Sequence, residues 1–176
     1  VEKIFDRLSN RFGFLTGGVR TALPRQQTLK ALIDWSYDLL SEQEKLLWSR
    51  LSVFNDGWIL EAAEEVCPDE RLKKDEVLDL LSQLVEKSIL IFDASADRYN
   101  ILETLKHYGE EKLAETNDAN EIYRRFLQYY IEFSESAELK LTGEDAQLWL
   151  DRLETEHANL QFAIEWAVKN GLISEG

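Results

Sequence analysis

The chain has 176 residues and a net charge of −14, with 34 acidic against 20 basic residues, one cysteine (Cys67) and two histidines (His107 and His157). One thiol excludes an internal disulfide, two distant histidines leave a zinc site short of ligands, and the acidic balance opposes nucleic acid, whose phosphates need clustered Lys and Arg. No apolar run approaches the roughly 18 residues of a membrane span, and VEKIFDRLSNRF lacks the apolar core of a signal peptide, so a cytoplasmic protein with no membrane partner is expected.

The chain contains no methionine and starts at Val1, which points to a piece of a longer product. Its charge is uneven. Residues 1–30 hold six basic and two acidic side chains, a net of +4, leaving −18 for the remainder, so an anion-facing surface is expected near the N-terminus.

In chain order, Ile4, Leu8 and Phe12 have helical spacing, and FGFLTGGVRTALPRQQ breaks it with Gly17, Gly18 and Pro24. Thr28 is placed to cap a helix carrying Leu29, Leu32, Ile33, Trp35 and Leu39. Ser41 with Glu44 gives a capping-box signature for a second helix, which buries Leu47, Trp48, Leu51 and Phe54. Asp56 and Gly57 predict a turn, and a short helix from Leu60 to Cys67 stops at Pro68 and Asp69. Asp75 then caps a helix with Leu78, Leu81, Leu84 and Val85 inward.

Ile89 to Phe92 reads as a strand, ASAD as a tight connection, and Tyr99 and Ile101 as a second strand that runs into a helix from Glu103. Three helices followed by a hairpin predict a winged helix-turn-helix over residues 28–115, with the hairpin as wing. Beyond it, Ile122, Phe126, Tyr129, Phe133 and Ala137 predict one amphipathic helix over 120–140, interrupted at Gly143. The tail places Leu153, His157, Leu160, Ile164 and Ala167 on one stripe and stops at Asn170 and Gly171. The fold class expected is therefore mainly α, with a short β-hairpin and a helical, tetratricopeptide-like segment over 116–176.

No GxxxxGK[ST] loop follows Gly17 or Gly18, the serines lack a histidine partner, and Glu64, Glu65, Glu110 and Glu111 sit as adjacent pairs that face different sides of a helix. Neither a catalytic residue, a metal site nor a cofactor of this chain's own is expected. The helix before the wing, DEVLDLLSQLVEKS, opposes Asp75, Glu76, Asp79 and Glu86 only with Lys87, and the wing offers Asp93, Asp97 and Arg98. Surfaces of that sign repel phosphates, so contact with protein and no direct contact with nucleic acid is expected.

RLSNRFGFLTGGVRTALPRQQTLKALIDWSYDLLSEQEKLLWSRLSVF, then LEAAEEVC, VLDLLSQLVEKSIL and RYNILETLKHYGEEKLAE, together resemble bacterial STAND regulators, multidomain signalling ATPases related to NB-ARC proteins. The resemblance covers nearly the whole chain. It implies that ATP or ADP binds upstream of Val1, that residues 1–27 end the ATPase region, and that sensor repeats follow residue 176. The wing would pack on the upstream domain. NB-ARC relatives carry a Met-His-Asp motif where Ile101, Leu102 and Glu103 stand here, and a leucine cannot donate to a phosphate as that histidine does. Gln26 occupies a position that is often histidine in the family.

Candidate contact residues are therefore Arg20, Arg25, Gln26, Leu102 and Glu103, against the plainer reading of Arg20 and Arg25 as solvated loop charges. His157 reads as a core histidine, Trp35, Trp48, Trp149 and Trp166 as packing residues, and Trp58 as exposed beside its turn. Tyr123, Tyr130 and Phe133 face either a partner or neighbouring helices. The function expected is a non-catalytic segment that couples the nucleotide state of an upstream domain to downstream repeats. Its alternatives are a DNA-binding winged-helix transcriptional regulator and a helical peptide-binding scaffold.

Overall fold

A computed structural model describes residues 24–172, with side chains from residue 28 onward. The chain divides into two compact units, Val1–Leu40 and Ser41–Gly176. In the first, α1 spans Pro24–Asp38. A proline fits a first helical turn because its fixed φ is already helical and its missing N–H would have had no partner there. The helix thus starts ahead of Thr28, the expected cap, and Trp35 is exposed.

The second unit opens with the expected capping box. Ser41 N–H donates to Glu44 Oε2 at 2.7 Å and Glu44 N–H donates to Ser41 Oγ at 3.3 Å, starting α2 (Glu42–Leu51). This helix buries Leu47, Trp48 and Leu51, and Phe54 follows them into the core. The turn at Gly57 needs a glycine: its φ is +72°, and a Cβ would approach Tyr99 O to 2.6 Å. Trp58, a candidate for exposure beside its turn, is fully buried; its backbone N–H donates to Tyr99 O at 2.9 Å and its carbonyl accepts from Tyr99 N–H at 2.8 Å. A residue beside a turn is drawn inside because this bridge adds the segment to the hairpin's edge.

After α3 (Leu60–Val66), a 3-10 turn at Lys74–Glu76 leads into α4 (Val77–Glu86). Val77, Leu80, Leu81 and Leu84, spaced i, i+3, i+4 and i+7, are buried, while Leu78, expected inside, is exposed. Ser88 closes α4 at φ 60°: its N–H donates to Val85 O and that of Ile89 to Leu84 O, both at 2.9 Å, a Schellman motif with serine in the left-handed position.

Strands β1 (Leu90–Asp93) and β2 (Arg98–Ile101) pair antiparallel, with Leu90 opposite Ile101 and Asp93 opposite Arg98. Between them, Asp93 Oδ1 accepts from the N–H and hydroxyl of Ser95 at 2.9 and 2.6 Å, which shapes the tight connection. Helix α5 (Glu103–Ala114) then packs on α2, where a Cβ on Gly109 would meet Ser52 Cβ at 3.0 Å, and Trp48 Nε1 donates to Leu105 O at 3.1 Å.

The last helices are α6 (Ala119–Lys140), α7 (Ala146–Thr155) and α8 (His157–Lys169). Ile122, Phe126, Tyr130 and Ala137 are the buried residues of α6; Tyr129 and Phe133 are half-buried at its flank. The tail's single stripe does not survive, because the chain leaves helical geometry at Glu156 (ψ 6°) and the phase changes there. His157 is therefore exposed, while Glu156, Asn159, Ala163 and Ala167 point inward.

Aromatic rings carry the core from the N-terminal part of this unit to its last helices. Phe54 stacks on Trp58 at 5.2 Å and meets Phe126 edge-on at 5.4 Å, and Phe126 meets Phe162 at 5.9 Å. Tyr123 stacks on Trp166 at 5.7 Å, so helix packing accounts for that ring. The protein is mainly helical with one small antiparallel sheet among the described residues, and no described helix is long and apolar enough to cross a membrane.

Candidate functional site

Arg20 lies outside the described residues; Arg25 and Gln26 fall in the first turn of α1, and their side chains lie outside the described part. Leu102 and Glu103 stand together where β2 enters α5. Leu102 is the N-cap of α5 with no side-chain cap bond, and its side chain is 55% exposed. Its carbonyl accepts from the N–H of Leu105 and of Lys106 at 2.8 and 2.9 Å. Glu103 pairs along the helix with His107 Nε2 at 3.0 Å, and His107 Nδ1 contacts Glu110 at 2.9 Å. The hydrogen bond that His107 donates to Glu110, more than the charge of Glu103, raises the pKa of His107 and favours the imidazolium. The corner is thus an exposed leucine beside an acid–histidine–acid row.

Behind it lies a polar network that sequence reasoning missed. Lys106, almost fully buried, donates to Asn55 Oδ1 at 2.8 Å and pairs with Glu110 at 3.1 Å. Asn55 N–H donates to Asn159 Oδ1 at 2.7 Å, and Asn159 Nδ2 donates to Gly57 O at 3.0 Å and to Glu156 Oε2 at 2.8 Å. Tyr130 hydroxyl donates to the same Glu156 oxygen at 2.7 Å, Arg98 pairs with Oε1, and Arg98 Nη2 donates to Asp56 O at 3.1 Å. Burial, reinforced by the Glu156 charge, pushes the Tyr130 hydroxyl far above its ordinary range, so it acts only as a neutral donor. Arg98, expected among the wing's surface charges, is 9% exposed and committed to Glu156. No local signal in the sequence marks this pairing, since Glu156 stands between Thr155 and His157 at the junction of two helices.

A second cluster holds the loop before α4. Arg50, fully buried, donates to Cys67 O at 2.5 Å and to Asp118 at 3.1 Å and pairs with Asp69; Arg71 pairs with the same two aspartates. Burial alone would raise the Asp69 carboxyl, but hydrogen bonds from Arg50 and Arg71 hold it well below the usual carboxylate range. Asp118 is lowered in the same way, against burial, by Arg71 and Arg50. Burial pushes the Cys67 thiol up to about 12, which leaves it unreactive.

The outward side of α4 presents Leu78, Asp79, Ser82, Gln83 and Glu86, and Asp93 and Asp97 are exposed on the hairpin. Lys73, Lys74 and Lys87 are exposed nearby, Lys74 paired with Glu65 and Lys87 with Glu44. No group of three or more His, Cys, Asp or Glu side chains among the described residues is arranged to hold a metal ion.

The chain is 40% identical over 175 residues to proteins of Mycobacterium tuberculosis and Mycobacterium bovis, each named "Putative HTH-type transcriptional regulator"; the match covers 98% of this chain and 20% of each relative. It is 32% identical over 130 residues to an "Uncharacterized protein" of Mycobacterium tuberculosis, covering 72% of this chain and 33% of that relative. The chain thus spans about one-fifth of the length of the first of these curated relatives. No family model and no solved structure matches it.

These relatives correct two expectations. The resemblance to STAND signalling ATPases does not hold, since the relatives are named as helix-turn-helix regulators. From Pro24 onward, the residues quoted for it fall mostly on helices, a cap and strands, whose spacing reports packing. With it go the upstream nucleotide-binding domain and the downstream repeats as assigned partners. The exclusion of direct nucleic-acid contact falls on the same finding. Its physical weakness was to weigh only the helix before the wing and the wing: Asp79, Glu86, Asp93 and Asp97 are exposed there, but the sign of one surface, or of the whole chain, does not give the sign of another.

Proposed function

We propose that this chain works in transcription regulation as a winged helix-turn-helix unit of a cytoplasmic DNA-binding regulator, in a non-catalytic role. The observation that carries this reading is the 40% identity, over 98% of the chain, to proteins named as helix-turn-helix transcriptional regulators. The order α2, α3, α4 and then the β1–β2 hairpin supports it, as three helices and a wing would follow each other in that way. The acidic outer side of α4 narrows where phosphates are met. The basic residues 1–30, which include Arg20 and Arg25, and the exposed Lys73 before α4 are the positions suited to them.

The test is fluorescence anisotropy of a labelled duplex titrated with the chain at several salt concentrations. Binding that weakens as salt rises is expected, with a log–log slope of about −0.9 per phosphate contact. Arg20→Glu with Arg25→Glu should flatten that slope by about two contacts. Absence of any salt-dependent binding by the folded chain would refute DNA contact by this unit.

A further inference from the structure

We propose that the cavity between the hairpin turn and helices α6 and α7 is a binding site for a small organic cation, an ammonium or guanidinium on an apolar stem. Its volume is about 490 Å³, within the range of small-molecule sites. Its lining includes Ala96, Asp97 and Arg98 of the hairpin turn, the half-buried rings of Tyr129 and Phe133 from α6, and Arg152 and Glu156.

The charges there do not cancel. Arg98 is committed to Glu156, and the Arg152 guanidinium lies over the Trp149 ring at 5.0 Å from its centroid. Glu61, Asp97 and Asp151 remain around the mouth, all exposed and without an ion pair among the described residues. The Asp151 carboxylate accepts from the neutral amide of Gln147 at 2.8 Å. The Tyr129 hydroxyl is pushed up to about 12, by burial first and then by the charges of Glu156 and Glu61, so it stays a neutral donor beside the wall. Aromatic faces with carboxylates at the entrance are what an organic cation needs: the rings take its stem and attract its charge, while the carboxylates pair with its head.

The walls belong to the hairpin on one side and to the C-terminal helices on the other, and the Arg98–Glu156 pair joins them at the base. A bound cation would therefore bridge the two. Its role as an effector of regulation rests on the function proposed above, whereas binding itself does not.

The test uses the whole chain and phenethylammonium chloride as probe, followed by calorimetry and by amide shifts in NMR. Saturable one-site binding tighter than about 1 mM is expected, with shifts at residues 96–98, 129 and 151–152. Neutral 2-phenylethanol should bind at least about tenfold more weakly, and Glu61→Gln with Asp151→Asn should weaken the cation by about tenfold with an unchanged circular dichroism spectrum. Should that double variant lose its fold, Asp97→Asn supplies the same comparison with a smaller expected loss. No saturable binding, equal binding of the alcohol, or shifts confined to other helices would each overturn the proposal. Failure of the duplex titration leaves these readouts untouched, so the two readings fail separately.

Discussion

Arg50 illustrates how much one residue can carry. Its guanidinium is sealed from solvent and ties Cys67 O, Asp69 and Asp118 together, which pins the loop between α3 and α4 to the start of α6. Breaking a buried ion pair from one side strands its partners, so Arg50→Ala should lower the unfolding free energy by about 3 kcal/mol in urea denaturation at pH 7. Lysine should not restore it, since an ammonium cannot span three acceptors as a planar fork does. The acid side follows from Asp69 and Asp118, both held below their unfolded values. A lowered carboxyl contributes fully above the unfolded pKa of about 4 and is lost as pH falls through the folded value. The stability gap between wild type and Arg50→Ala should therefore be constant from pH 7 to about 5 and narrow below about pH 4.

At the scale of elements, the ends of helices decide phase. The capping box at Ser41 and Glu44 was readable from two residues three apart, because both partners are local. The end of α4 was not, because Ser88 takes a left-handed conformation that its sequence does not announce. That conformation costs a side chain energy that glycine avoids, and Ser88 is exposed with its Schellman bonds made by backbone alone. Ser88→Gly should accordingly raise stability by about 0.5–1 kcal/mol, seen as a higher Tm; a lower Tm would show that Ser88 is held by more than its backbone. The inward side of α4 is Val77, Leu80, Leu81 and Leu84, one of two overlapping apolar faces that its leucines offer, and packing chose the one that leaves Leu78 outside.

Across the whole molecule, the second unit is joined by long-range polar contacts as well as by aromatic packing. Glu156 gathers Arg98 from the hairpin, Tyr130 from α6 and Asn159 from α8. Glu156→Ala would leave Arg98 charged and buried without its partner, a loss expected at about 3 kcal/mol. Because the network links the hairpin to the last helices, that variant should lower the Tm followed at Trp58 and at Trp166 alike; separate transitions would contradict the linkage.

The sequence by itself determined most of the helical segments from Leu29 to Lys140, the position of the hairpin, the cap at Ser41 and the lack of a phosphate loop, whereas the expected helical spacing of Ile4, Leu8 and Phe12 lies outside the described residues. Each of these depends on spacing or on partners within a few residues. Only the tertiary structure decided that Trp58 is buried, that His157 faces solvent, that Arg98 is an internal partner of Glu156, and that a cavity opens beside the hairpin. The corner residues Leu102 and Glu103 were placed together by local order, whereas the polar network behind them joins positions as far apart as Asn55 and Asn159. The sequence shows that such residues are polar, but whether they meet water or one another depends on helix phase and on chain crossings more than a hundred residues apart.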